Sequence, residues 1–452
     1  MISKRITIIG AGLSGSLLAI LLSKEGYEVE MYERREDLRN GNITGGRSIN
    51  LALSHRGIKA LEQIGIMDEI NKIVVPVTGR IIHNINGEIS YQPYGKDKTE
   101  FNLSISRADL NIKLLDFAEK NNVKIYFNHN CRKYTPKTNE LMIENDSDGT
   151  KLQLFPDVII GTDGSSSAIR KSIINLGRFN YSQTYLDHGY KELEIPAGPD
   201  NSFRMDKNGL HIWPRGEFML IALPNTDGSF TCTLFFPHNG DISFDSLTTP
   251  EKVNQLFNEY FPDVIDKMPN LTSEFFINPT GRLLTIKSDP WYYEDKLILL
   301  GDASHAIVPF YGQGMNSAFE DCMSLIHHLK EYRGDWDQIF KEVYKDRKPN
   351  TDAIAQLSLD NYLEMRNSVA NEQFLLRKKA ENMLYEAYPK EIVSKYSMVT
   401  YHPEIPYAEA YRKGKILENI LHKIFTEIDT IEEFDLEEAR RKILFEYNNS
   451  TA

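Results

Sequence analysis

Cysteine is scarce in this chain: Cys131, Cys232 and Cys322 are its only three in 452 residues, with no C-x-x-C pair. No histidine cluster falls at zinc-ligand spacing either. A disulfide framework and a structural metal are therefore not expected, and a reducing, cytoplasmic setting is. Long apolar runs are missing as well, since no uninterrupted stretch approaches the roughly 18–20 residues that cross a bilayer. Lys4 and Arg5 followed by an apolar stretch to Leu22 imitate a secretory signal, but glycines interrupt that stretch at a spacing with its own explanation. The last residues, Tyr447–Ala452, are polar, so no tail anchor is expected. Positive charge is in deficit, the formal net charge being −12. That balance argues against a nucleic-acid or anionic-membrane surface and for ordinary solubility. Internal repeats, linkers and low-complexity tracts are also absent, so a chain of this length is expected to form two or three closely packed domains.

What is present begins almost at residue 1. Ile6–Gly10 is an apolar β-branched run, Leu13–Lys24 has helical periodicity, and Tyr27–Glu33 alternates as a second strand. Strand, turn, helix and strand make a βαβ unit. Its turn reads Gly10-Ala11-Gly12-Leu13-Ser14-Gly15, which is G-x-G-x-x-G. Gly10 permits the tight turn, Gly12 lets backbone N–H groups approach a pyrophosphate, and Gly15 allows close helix–strand packing. The helix N-terminus adds positive partial charge for the phosphates. Glu33 stands 18 residues after Gly15, where a carboxylate can take hydrogen bonds from ribose hydroxyls. The motif points to a dinucleotide and leaves FAD and NAD both open.

Further along, Ser54–Ile64 and Ala108–Lys120 read as helices and Val123–Phe127 as a strand. Phe203–Pro237 shifts to short β runs broken by Pro, Gly and Asn, which is antiparallel-sheet material. Beyond Ile339 the chain is mostly helical in pattern, as in Ser358–Tyr388. Two motifs in this sequence narrow the cofactor. Asp157–Arg170 contains Gly161-Thr162-Asp163-Gly164, and it resembles the Asp-Gly motif of the flavin-dependent aromatic hydroxylases, departing from it at Ser166. Leu297–Pro309 contains Gly301-Asp302 and continues as Phe310-Tyr311-Gly312-Gln313-Gly314-Met315-Asn316, with Asp321 after it. It resembles the Gly-Asp motif of the same family, in which the acid holds a flavin ribityl hydroxyl. The chemistry fits: an acid at a strand end accepts from a polyol, and a helix N-terminus favours negative charge on reduced flavin. His305 invites assignment as a catalytic base, but a loop histidine of this kind is more often structural.

Gly46–Ser54, Asp187–Leu193 and Phe310–Asn316 resemble stretches typical of kynurenine 3-monooxygenases, and the resemblance runs from the first strand to about residue 410. It implies FAD as cofactor, held by Gly10, Gly12, Gly15, Glu33, Arg34, Ala52, Arg107, Cys131, Asp163, Asp302, Gly314, Met315 and Asn316. It implies L-kynurenine as substrate, with Arg80 and Tyr94 as the carboxylate pair, Asn361 and Tyr396 as polar partners, and Met365 lining the ring pocket. Pro309, Phe310 and Gln313 would position the substrate ring, with no side chain acting as a catalytic base. A planar guanidinium suits a carboxylate better than an ammonium does, and Met365 follows Asn361 by four residues, on one helix face. Singly, Arg80 reads more readily as a surface charge, Tyr94 as a turn aromatic and Met365 as core; the joint match reverses that reading.

The resemblance further implies ring hydroxylation by NADPH and O₂ through a flavin C4a-hydroperoxide, with NADPH bound transiently, since no second G-x-G-x-x-G is visible. The expected fold is α/β. A Rossmann-like FAD-binding domain is built from 1–75, 106–178 and 278–340, a discontinuous β-sheet substrate domain from 76–105 and 179–277, and a C-terminal helical region from 341–452. The alternatives are a flavin hydroxylase of another aromatic acid and a non-catalytic flavin-binding redox module. Small-molecule partners only are expected, with no nucleic acid and no membrane anchor; the oligomeric state is not legible.

Overall fold

The computed structural model describes residues 5–41, 50–96, 99–365 and 372–450. These divide into two compact units, each assembled from three pieces of chain. The first comprises 1–74, 104–186 and 282–355, and the second 75–103, 187–281 and 356–452.

The first unit is organised by a six-stranded sheet. From one edge to the other its strands are Tyr292–Tyr293, Leu297–Leu299, Val158–Gly161, Arg5–Ile9, Glu28–Tyr32 and Lys124–Tyr126. All neighbours pair in parallel except the short Tyr292–Tyr293 edge. Ile6 lies opposite Val158 on one side and Val29 on the other. Ile6, Ile8, Val158, Ile159 and Ile160 are wholly buried, as strands covered on both faces must be. Burying each such side chain contributes roughly 1.5–3 kcal/mol. The helix Leu13–Lys24 packs against Arg107–Lys120 and Gly314–Tyr332 and is therefore apolar nearly all round. A three-stranded antiparallel sheet, His129–Thr135, Glu140–Asn145 and Lys151–Leu154, also belongs to this unit; its strands are too polar to stand out in the sequence.

The second unit has a larger, mainly antiparallel sheet. Within this unit its strands run in the order Asn180–Ile195 (paired with Phe230–Pro237 from His188 onward), Phe230–Pro237, Phe218–Pro224, Gly209–Arg215, Gly79–His83 and Ile89–Pro93. Gly79–His83 and Gly209–Arg215 pair in parallel, which places Arg80 opposite Leu210. Trp213, Phe218, Phe230 and Phe236 pack with Phe257 and Phe261 of the covering segment that begins with the helix Pro250–Tyr260. A separate helical cluster gathers Ala380, Leu384, Leu417, Leu421, Ala439 and Ile443 from the helices Glu372–Ala387, Tyr407–Ile424 and Leu436–Asn449. Among the described residues no helix is long and apolar enough to cross a membrane.

Candidate active site

In the first unit the glycine turn sits where the parallel strands end. Gly10 has φ +100°, and a Cβ there would stand 2.6 Å from the Thr162 carbonyl oxygen; one on Gly15 would stand 2.0 Å from the Gly10 oxygen. Neither position tolerates a side chain, so the helix closes directly onto the turn. Nothing lies within 4 Å of a Cβ built on Gly12, so the middle of the turn faces open space. Glu33, 7 % exposed, accepts the Ala11 N–H at 3.0 Å and both the N–H and the Nε of Arg35 at 3.0 Å. A carboxylate has about four lone-pair directions, so acceptor capacity remains for a ribose hydroxyl. Arg34 and Arg107 are exposed, the latter opening its helix after the Ser106 cap.

Asp163 follows the strand Val158–Gly161. Its Oδ2 accepts the N–H groups of Ala168 at 2.7 Å and Ile169 at 3.2 Å. Burial raises its carboxyl above the usual range, against the pull of these donors. Cys131 lies within its electrostatic reach; burial first, then the charge of Asp163, pushes that thiol up to about 12. The Gly301-Asp302 corner is braced from below. Asp321, wholly buried, accepts the Gly301 N–H at 3.0 Å, faces His305 Nε2 at 2.5 Å and meets Arg347 Nε at 2.9 Å. Burial works against that charge, but His305 and Arg347 outweigh it and hold the carboxyl below its usual value. His305 is thus tied into the scaffold, with Trp291 on its ring at 4.9 Å. Asp302 itself is exposed at the start of a short helix, free of that brace.

The turn before Gly314 is held by Asn316. Its Oδ1 accepts the Ser54 N–H at 3.1 Å, and its Nδ2 donates to the carbonyls of Ala52 and Gly312, both at 2.9 Å. The Asn316 side chain is therefore scaffold, and what it offers a ligand is its backbone N–H. Together with those of Gly314 and Met315 this N–H belongs to the first turn of a 19-residue helix, with no carbonyl of its own helix to pair with. Phe310 and Gln313 are buried and Pro309 is exposed. Gly46–Ile49 of the sequence motif lie outside the described residues; the strand Asn50–Leu53 that follows carries Ala52.

The bare chain fits a flavin dinucleotide on several grounds. The glycine turn leaves room where a pyrophosphate would approach. Asp163 Oδ1 and Asn111 Oδ1 are buried without a hydrogen-bond partner, and Asn111 Nδ2 donates to the Ala11 carbonyl of that turn. Orphaned buried acceptors are costly unless a donor arrives, and FAD is rich in hydroxyl donors.

In the second unit the structure gathers Arg80, Tyr94 and Tyr396. The Arg80 guanidinium carbon stands 5.1 Å from the centre of the Tyr396 ring, and the two tyrosine rings stack 5.0 Å apart at 13°. Asn102 Nδ2 donates to the Tyr396 hydroxyl at 3.0 Å. Burial raises both phenols, that of Tyr94 well above its usual value. Asn361 and Met365 meet as their helical spacing implies, Asn361 Nδ2 lying 3.3 Å from the Met365 sulfur. Beside them is a carboxylate that carries no motif: Glu364, 3.6 Å from Lys378 and 3.7 Å from Lys395. Burial opposes its charge, but Lys378, Lys395 and Arg80 bring it down to about 2. Sequence reasoning also passed over Arg347 and Glu100; nothing local marks either one.

The model of a family described as an FAD binding domain matches residues 4–358, which makes the chain a flavin-binding protein of that class. Kynurenine 3-monooxygenase of Myxococcus xanthus (strain DK1622) is 46 % identical over 97 % of this chain and 94 % of its own length. The same enzyme of Dictyostelium discoideum is 45 % identical over 96 % of each. The chain belongs to the kynurenine 3-monooxygenase family. Among solved structures, 2-methyl-3-hydroxypyridine-5-carboxylic acid oxygenase shares the fold with a TM-score of 0.66 at 21 % identity, covering 85 % of this chain and 98 % of its own.

Proposed function

We propose that this protein hydroxylates L-kynurenine to 3-hydroxy-L-kynurenine, consuming one NADPH, one proton and one O₂ and releasing NADP⁺ and water. The observation that carries the reading is its kinship with kynurenine 3-monooxygenases along nearly the whole chain. When bound, FAD supplies the passage of electrons from NADPH to O₂ that makes one oxygen atom electrophilic enough to enter the ring. Gly10, Gly12 and Gly15 with Glu33, Asp163 and Asp302 would hold it, and the first turn of the helix at Gly314 would face its ring system.

The remaining work is positioning. Kynurenine is a zwitterionic amino acid joined through a ketone to an aniline. Arg80 presents a fork that can bind its carboxylate through two parallel hydrogen bonds, and the phenols of Tyr94 and Tyr396 and the amide of Asn361 complete that shell. Met365, Pro309, Phe310 and Gln313 would orient the ring and keep water from it, since a wet site wastes reducing power on hydrogen peroxide. The aniline nitrogen already enriches its ortho carbon, so no strong base is needed there. The reading places the enzyme in the cytoplasm, where its three buried thiols remain reduced.

The test is direct. Purified, FAD-loaded protein should oxidise NADPH and consume O₂ faster when kynurenine is added, with 3-hydroxykynurenine as product. Stimulation by anthranilate or salicylate and not by kynurenine would overturn the substrate assignment.

A further inference from the structure

Glu100 is 5 % exposed and has no part in the substrate contacts described above. The turn that carries Tyr94 folds closely over it: a Cβ on Gly95 would stand 1.8 Å from Glu100 Oε2, so only glycine fits. That oxygen accepts the Lys96 N–H at 3.2 Å and the Ser397 hydroxyl at 2.9 Å. Oε1 accepts the Tyr385 phenol and faces His402 Nε2 at 3.5 Å. Burial works against ionisation of this carboxyl, but His402, Tyr385 and Ser397 outweigh it and hold it below its usual value.

The positions of the donors give the arrangement its meaning. Lys96 lies two residues after Tyr94, and Ser397 directly follows Tyr396. One buried oxygen therefore clamps together the two segments whose tyrosines stack and over one of which Arg80 lies. An ionised carboxylate suits the place because it only accepts, through about four lone-pair directions, and four donors converge on it. Tyrosine and serine hydroxyls can turn about to accept instead; the Lys96 amide cannot.

We propose that Glu100 is a positioning residue for the substrate-carboxylate subsite, fixing the distance between the Tyr94 turn and the Tyr396 helix so that Arg80 and both phenols converge on one anion. The proposal rests on the assignment of Arg80, Tyr94 and Tyr396 to kynurenine. Glu100 acts through them and needs no contact with the substrate.

The experiment uses FAD-loaded full-length protein and compares Glu100→Ala, Glu100→Gln, Tyr94→Phe and the two Glu100 substitutions combined with Tyr94→Phe. Kynurenine affinity is read by titration calorimetry, KM and kcat by kynurenine-stimulated NADPH oxidation, and integrity by thermal unfolding and FAD content. Glu100→Ala should weaken kynurenine binding and raise KM on the order of tenfold with a smaller change in kcat, the signature of lost binding common to ground and transition states. Glu100→Gln, which keeps one acceptor for the Lys96 amide, should recover most of that. In the Tyr94→Phe background either substitution at Glu100 should cost less than alone, because part of its effect runs through the Tyr94 hydroxyl. An unchanged affinity in folded Glu100→Ala, or costs that simply multiply, would overturn the proposal. Should Glu100→Ala fail to fold, the coupling between Glu100→Gln and Tyr94→Phe decides: non-multiplicative effects support it, independent ones refute it. Wild-type protein that neither binds kynurenine nor responds to it would instead refute the substrate assignment, leaving the two failures distinct.

Discussion

Replacing Arg80 by alanine separates binding from folding. If Arg80 receives the substrate carboxylate through two charge-assisted hydrogen bonds, its loss should weaken kynurenine binding by about 2–4 kcal/mol. That corresponds to a dissociation constant roughly thirty- to a thousandfold higher. The contact of Arg80 with the Tyr396 ring, at 5.1 Å, exists in the free protein and so counts toward stability rather than affinity. On a half-buried group it contributes about 1–2 kcal/mol, between the exposed and desolvated limits. Glu364, the nearby carboxylate, keeps Lys378 at 3.6 Å and Lys395 at 3.7 Å, so no buried charge is stranded. The variant should therefore fold, load FAD and melt close to wild type while failing to bind. Arg80→Lys should fall between, because it keeps the charge and loses the planar fork. Calorimetric titration of kynurenine into each FAD-loaded variant measures the effect. A folded Arg80→Ala whose affinity stays within about threefold of wild type would remove the guanidinium from the carboxylate subsite and refute the reasoning.

Other consequences are as specific. Asp302→Ala should purify with less flavin and a weaker yellow absorbance, while thermal stability of the flavin-free form is little changed, because Asp302 is exposed and the brace beneath it runs through Asp321; full FAD retention would count against the role of Asp302. Glu364 is depressed to about 2 by Lys378, Lys395 and Arg80 in spite of its burial. A carboxylate lowered in this way stabilises the folded state above the ordinary glutamate range, and the contribution drains away as pH falls from there toward about 2. Wild type should thus lose up to about 3 kcal/mol from this group across that window. Glu364→Gln, less stable at neutral pH, should lose less, as urea unfolding at a series of pH values would show. Parallel pH dependences in the two proteins would dismiss the ion cluster as a source of stability.

The nucleotide-binding end of the protein was open to reading because its signals are short-range. A G-x-G-x-x-G between an apolar run and a helical pattern states its own backbone requirements, and Gly10 and Gly15 meet them against Thr162 and each other. The helix boundaries followed for the same reason: the Ser106 cap opens Arg107–Lys120 one residue before the expected start. Arg80, Tyr94, Asn361 and Tyr396 were a different case. Nothing in their own surroundings marked them, and only the likeness to a family picked them out.

The sequence by itself determined the βαβ start, the parallel strands and the helix-rich end, since backbone preference and apolar period act over a few residues. Tertiary structure alone decided which polar groups gather around a buried charge. Arg347 reaches Asp321 across 26 residues, and Ser397 reaches Glu100 across 297. The strength of such contacts depends on the absence of water, and desolvation comes into being only when the distant segments have closed on one another.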